Sequence, residues 1–291
     1  MKPDNRQYKF RKPPISPAPR FKKPPLAMQV TTLWDYPSQH YGDSLQGDSN
    51  YIGATPSYII WNLLQRYTTQ GQLVVDPCCG SGTTIDVSRD IGRRCLGYDV
   101  NPTRNDIFNA DARKLPLENS AADFVFIDPP YSTHIHYSDD PRCIGKLDAA
   151  SGAYYKAMEK VIGEINRILR PGRYMAMYVC DSLVKGKRFY PIGFELFGMM
   201  RKFFTPVDVI AVVRHNKTLE MGNYRKAADE NNFYLRGFNY LFIMYKPLPP
   251  KSSTADSHAA RKYHNSRKKP SDITKIPAKN SGRKHRDFPA R

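Results

Sequence analysis

The stretch "QLVVDPCCGSGTTIDVSRDIG", residues 72–92, decides the architecture. An apolar run, 72–76, ends in an acid and passes at once into a turn containing Gly80 and Gly82. Residues 83–92 then carry helical spacing, with Gly92 as the stop. Strand, glycine turn and helix in immediate succession form the unit from which parallel sheets are built.

Working outward, "RCLGYDV" (94–100) and "DFVFID" (123–128) are further strands. "YYKAMEKVIGEINRILRPG" (154–172) is a helix, with apolar residues from Met158 to Leu169 at 3–4-residue steps and Pro171-Gly172 as its end. Next come a strand at 174–181, a helix around Phe194–Phe203, and strands at 207–214 and 240–246. This alternation predicts an α/β fold, a mainly parallel sheet with helices on both faces. No helix is evident between the last two strands, which are expected to form an antiparallel hairpin around an insertion, 215–236.

The Gly-rich turn lets a ligand approach the backbone at a helix N-terminus. A phosphate loop would need a lysine after its last glycine, and none is present. A dinucleotide turn would want a third glycine where Ile85 stands. Asp99, at the tip of the second strand, is placed to accept hydrogen bonds from ribose hydroxyls. An adenosyl ligand without a pyrophosphate fits all three observations. A second stretch, "FVFIDPPYSTHIHY" (124–137), is a strand stopped by two prolines, so that Asp128 and Tyr131 sit at fixed places on its tip.

"DPCCGSGTT" (76–84) resembles the Gly-rich signature of amino-methyltransferases that use S-adenosylmethionine, and "IDPPY" (127–131) resembles their catalytic signature. The likeness to these N4-cytosine and N6-adenine DNA methylases runs from about Thr31 to Pro247. It implies a Rossmann-like, mainly parallel seven-stranded sheet with an antiparallel last strand, in a domain over 26–246. It implies S-adenosyl-L-methionine as cofactor, held by Asp76, Pro77, Gly80, Ser81, Gly82 and Thr83 at the turn. Asp99 would hold the ribose, and Asp111 the adenine amine. "YIGATPSYIIWNLLQRY" (51–67) resembles the family's segment that closes over the methionine end, with Tyr51, Thr55 and Pro56 as contacts. Asp128, Pro129, Pro130 and Tyr131 would be catalytic.

The chemistry suits those residue types. An exocyclic amine is a poor nucleophile because its lone pair is delocalised into the ring. A carboxylate at Asp128 can accept one N–H, and a proline-stiffened carbonyl the other, so that the nitrogen becomes tetrahedral. Tyr131 offers a flipped base a ring to stack on. On the resemblance, adenine N6 is favoured over cytosine N4. An RNA base methylase and a non-catalytic nucleic-acid-binding module that kept the fold stand as alternatives.

The net charge of +18 is uneven: residues 1–25 carry +7, 246–291 carry +10, and the middle +1. Both ends, Pro-rich or Ser/Lys-rich, are expected to be disordered basic arms suited to phosphate backbones. The expected partner is nucleic acid, double-stranded DNA first, with any cognate restriction enzyme unknown. Residues 182–236 are the candidate reading surface, with Lys185, Lys187, Arg188, Arg214, His215, Asn216, Lys217, Tyr224, Arg225, Lys226 and Arg236 interleaved with aromatics. Asp181 is expected either to line the base pocket or to cap a helix. His134 and His136 lack a third ligand, so no metal is expected. Five cysteines without paired metal-ligand spacing fit reduced thiols. No secretory signal is evident, and no apolar run approaches the about 20 residues of a membrane span. The expectation is a soluble cytoplasmic protein of a prokaryotic cell or phage.

Overall fold

The computed structural model describes residues 24–48, 50–183, 189–215 and 219–250. The two expected arms therefore lie outside the described residues almost entirely, as do Lys185, Lys187, Arg188, Asn216 and Lys217. The strands are β1 (Leu33–Trp34), β2 (Leu73–Asp76), β3 (Arg94–Asp99), β4 (Ile107–Asn109), β5 (Ala122–Ile127), β6 (Leu169–Val179), β7 (Ser182–Leu183), β8 (Phe189–Tyr190), β9 (Thr205–Val213) and β10 (Phe238–Tyr245). The helices are α1 (Ser57–Tyr67), α2 (Thr83–Asp90), α3 (Ala153–Ile168), α4 (Ile192–Met200) and α5 (Gly222–Glu230).

The main sheet runs β1-β9-β10-β6-β5-β2-β3-β4, and β7-β8 form a separate two-stranded ribbon. Every pairing in the main sheet is parallel except those of β10, which is antiparallel to both β6 and β9. The sheet is thus α/β and mostly parallel, as expected, but eight-stranded rather than seven. The strands of this sheet absent from the sequence reading are β1, whose two residues pair with Ala211 and Val212 at one edge, and the three-residue β4 at the other. A two-residue strand has too little period to be visible in sequence.

Alternation along the strands splits the core. Val75, Val125, Ile127, Met175 and Met177 face α3 and α4 in one cluster. Val74, Phe124, Phe126, Ala176 and Leu241 face α1 on the other side. β5 is buried at all six positions, as a central parallel strand covered on both faces must be.

Two boundaries differ from expectation. α3 ends at Ile168 rather than at Pro171-Gly172, because Leu169 already pairs with Ala122 in the sheet. Pro171 and Gly172 lie inside β6, where Gly172 donates its N–H to the Lys246 carbonyl at 2.8 Å. Second, the insertion between β9 and β10 contains α5, which has no buried residue. A helix without an apolar face gives no periodic signal.

Candidate active site

β2 delivers Asp76 to the C-terminal edge of the sheet, where it is 3 % exposed. Its Oδ1 accepts the Cys78 N–H at 3.0 Å and its Oδ2 the Thr84 hydroxyl at 2.5 Å, so the carboxylate braces the turn from within. Gly80 and Gly82 have φ of +50° and +84°, a region that favours glycine. A Cβ on Gly80 would lie 3.1 Å from the Tyr51 ring, and one on Gly82 would lie 2.6 Å from Arg104 Nη1. The Gly80 N–H donates to Asp99 Oδ2 at 3.0 Å, which ties the tip of β3 to the turn.

A cavity of about 850 Å³ opens over this turn. Tyr51, Thr55, Asp76, Pro77, Gly80, Ser81, Thr83, Asp99 and Asp111 all line it. Gly82 and Pro56 do not. Gly82 is the N-cap of α2 and faces Arg104, while Pro56 starts α1 with φ −60° and lines a neighbouring cavity instead. The Asp111 carboxylate is occupied by an Arg113 fork, with Nη2–Oδ2 at 2.6 Å. Burial raises its pKa, and that fork outweighs burial to leave it lowered.

The second cavity, about 1600 Å³, lies over Tyr131. Tyr36, Tyr58, His134, Tyr178, Cys180, Asp181, Arg214, His215 and Asn239 contribute to its wall. Asp128, Tyr51, Gly53, Ala54 and Tyr137 line both cavities. Asp128 accepts the Thr55 hydroxyl on Oδ2 at 2.5 Å and the Tyr131 hydroxyl on Oδ1 at 2.7 Å. Burial pushes its pKa up to about 7, with the Thr55 and Tyr131 hydrogen bonds and the Arg214 charge pulling the other way. Burial likewise pushes Asp76 up to about 7, against the Thr84 and Cys78 hydrogen bonds.

The proline turn is asymmetric. Pro130 lines the first cavity, and its carbonyl accepts the Ser132 N–H at 3.1 Å, whereas Pro129 is buried. Ser132 has φ +57°, strained for a serine, and is held by hydrogen bonds to the Leu147 carbonyl and from the Ala149 N–H. The N-cap of α4 is Pro191, not Asp181. It lines the second cavity, and it holds the first turn of α4 by accepting the Gly193 N–H at 2.9 Å.

His134 contacts the Ser182 hydroxyl and His136 contacts Asp139. Among the described residues no group of three or more His, Cys, Asp or Glu could hold a metal. Of the candidate reading surface, Arg214 and His215 reach the second cavity. Tyr224, Arg225 and Lys226 sit on exposed turns of α5, and Arg236 lies over the Phe189 ring at 5.2 Å. Sequence reasoning did not single out Tyr36, Tyr137, Tyr178 and Asn239; the sheet brings Tyr178 and Asn239 to this cavity, and Tyr36 and Tyr137 reach it from loops.

Residues 2–110 match the family model for DNA methylases. The DNA methylase match takes in the Gly-rich turn and β3 but ends before Asp111 and Asp128. Over 70 residues the chain is 30% identical to Type II methyltransferase M.HindIII of Haemophilus influenzae. That stretch covers 24% of this chain and 22% of the enzyme, so the alignment spans about a fifth of its length. Among solved structures, TrmN from Thermus thermophilus aligns at 16% identity over 67% of this chain and 50% of its own, TM-score 0.45. TTHA0409, from the same organism and solved in complex with S-adenosyl-L-methionine, aligns at 18% identity over 50% of this chain and 56% of its own, TM-score 0.35. No helix among the described residues is long and apolar enough to cross a membrane.

Proposed function

We propose that the chain transfers a methyl group from S-adenosyl-L-methionine to an exocyclic amino group of a base in double-stranded DNA, with adenine N6 favoured over cytosine N4. One observation carries this reading: Asp128 stands in the wall common to two cavities, one over the Gly-rich turn and one over Tyr131.

The first cavity fits the cofactor on its own chemistry. Glycines leave the turn open, and the carboxylates of Asp76, Asp99 and Asp128 around it suit a ligand carrying an amine and a sulfonium cation. Once bound, S-adenosylmethionine supplies an electrophilic methyl group. Tyr51 and Thr55 cover the methionine end, Asp99 takes the ribose, and Asp111, oriented by Arg113, faces the adenine.

On the other side a base turned out of its stack enters beside Tyr131. Asp128 accepts one amine N–H. A backbone carbonyl of the Pro129–Pro130 turn accepts the other. Two acceptors on one face of the nitrogen localise its lone pair on the opposite face. As the nitrogen becomes positive, Asp128 takes the proton it already holds by a hydrogen bond and releases it to solvent, a task suited to a pKa of about 7. Arg214, in the wall of this cavity, is available as a phosphate contact.

Incubation with tritiated S-adenosylmethionine and either plasmid DNA or total RNA tests the proposal. DNA is expected to be labelled, Asp128→Ala to abolish labelling, and calorimetry to show that the variant still binds the cofactor. Labelled RNA beside unlabelled DNA would move the substrate assignment to RNA. No labelling of either, with cofactor bound, would favour a binding module without catalysis.

A further inference from the structure

Asn239, on β10, is 5 % exposed and paired in register with Val212 of β9, so its backbone has no freedom to move. Its Nδ2 donates to the Tyr131 hydroxyl at 3.2 Å across 108 residues of sequence. That hydroxyl donates in turn to Asp128 Oδ1 at 2.7 Å. Asn239 Oδ1 is buried with no hydrogen-bond partner among the described residues.

A phenol has one hydrogen to give, whereas a primary amide has a donor end and an acceptor end. Whichever end meets Tyr131 decides where the phenol's hydrogen goes. With the donor end inward, the tyrosine oxygen is filled as an acceptor and its hydrogen is committed to Asp128. Turned over, the amide would satisfy its own orphaned oxygen by drawing that hydrogen away from the carboxylate. The carboxylate is the stronger acceptor, since a hydrogen bond to a charged group outweighs one to a neutral carbonyl. The orphaned oxygen is the cost of that choice. Burial holds the Tyr131 phenol well above its ordinary pKa, so it keeps its hydrogen at any working pH.

We propose that Asn239 is a positioning residue that fixes the Tyr131 hydrogen on Asp128 and so sets the carboxylate's orientation and proton affinity. The inference rests on the methyl-transfer reading above, in which Asp128 receives the amine. Other charged or titratable groups act on Asp128 or are coupled to it: Arg214 beyond β9, Asp76 on β2, Tyr51, Tyr137, Tyr154 on α3 and Tyr178 on β6. Cys78 also faces it, and none of these is hydrogen bonded to it; Thr55 donates to Oδ2 directly, whereas Asn239 reaches Oδ1 through the Tyr131 hydrogen, which one substitution can redirect.

The test is a double-mutant cycle read by carbon-13 NMR titration of the Asp128 carboxyl in aspartate-labelled full chain. Asn239→Asp puts an acceptor opposite Tyr131. It is expected to raise the Asp128 midpoint by about one pH unit and to lower kcat at pH 7 by about tenfold, with KM for S-adenosylmethionine unchanged. In a Tyr131→Phe background the same substitution is expected to move the midpoint by less than a third as much. An equal shift in both backgrounds would mean that the new charge acts through space, and no shift in either would mean that Asn239 only packs; both overturn the proposal. Asn239→Leu, neutral and of similar size, is expected to shift the midpoint upward by less, and decides the matter if the aspartate variant does not fold. Because the titration needs no turnover, a parent protein that fails to methylate DNA would sink the functional reading while leaving this inference to be judged separately.

Discussion

The cavity over the Gly-rich turn draws its longest continuous stretch of wall from Asp76 to Thr84, with the cover segment, the tip of β3 and residues between 111 and 144 supplying the rest. The cavity over Tyr131 is assembled from Tyr36, Tyr131, Tyr178, Arg214 and Asn239, residues on five separate segments. The first is local geometry: glycines at positive φ, a carboxylate bracing its own turn, a helix starting behind it. The second exists only when the sheet is complete, since Asn239 comes from the one antiparallel strand and Tyr178 from its neighbour. A pocket built on one continuous turn suits a cofactor of constant shape. A composite pocket can change its lining without disturbing the first.

The comparison breaks most sharply at Asp128, one of the residues the two cavities share. Asp128→Ala is expected to reduce methyl transfer by about 10²–10⁴-fold, with cofactor affinity measured by calorimetry little altered; a loss of affinity as large as the loss of rate would place Asp128 in the first cavity alone. A smaller, purely structural effect is expected on the local side. Gly82→Ala puts a Cβ at φ +84° and 2.6 Å from Arg104, whose guanidinium is tied to Asp86 and Asp106. The cost should be about 1–3 kcal/mol in a denaturant melt, and Gly82→Asn should cost less because asparagine tolerates left-handed backbone. Equal melts for parent and alanine variant would remove the argument that the turn requires glycine there.

How much was legible in the sequence follows the same division. The strand–turn–helix at 72–92 could be read because each step has its own local signal: an apolar run, two glycines, a 3.6-residue period. Asp76, Pro77, Gly80, Ser81 and Thr83 line the first cavity for that reason. Pro56 lines the neighbouring cavity instead; a motif read in one dimension cannot say on which side of a helix start a proline falls. Asn239 had no signal at all. An isolated polar residue in an apolar strand reads as a defect until the strand's neighbours are known. β1 and α5 escaped for a related reason, the one too short and the other too exposed to show a period.

Between the cavities, Thr55→Val should sharpen the picture by a modest amount. The Thr55 hydroxyl stabilises the charged form of Asp128, so its loss raises the carboxyl's pKa. The acid limb of the rate–pH profile should move up by about one pH unit, with a several-fold lower rate at pH 7 that recovers near pH 9. An unmoved limb would mean that Asp128 is not the group titrating in the reaction.

The smallest expected effect is thermodynamic, and it treats the two carboxylates as a pair. Burial lifts both Asp76 and Asp128 from the ordinary 3.8 to about 7. A folded pKa above the unfolded one means that the folded state binds more protons between those values, so stability is greatest below about pH 4 in this contribution and falls as pH rises through 7. Heating the protein between pH 5 and 8 should therefore show Tm falling by a few degrees, and Asp76→Asn should flatten the slope. A cationic ligand reverses the preference, because a positive charge beside both groups favours their ionised forms. Saturating S-adenosylmethionine should then raise Tm more at pH 8 than at pH 5.5, and its binding at pH 7 should release protons in calorimetry run in buffers of different ionisation enthalpy. No proton release would show that binding leaves the ionisation of Asp76 and Asp128 unchanged, and would overturn this linkage.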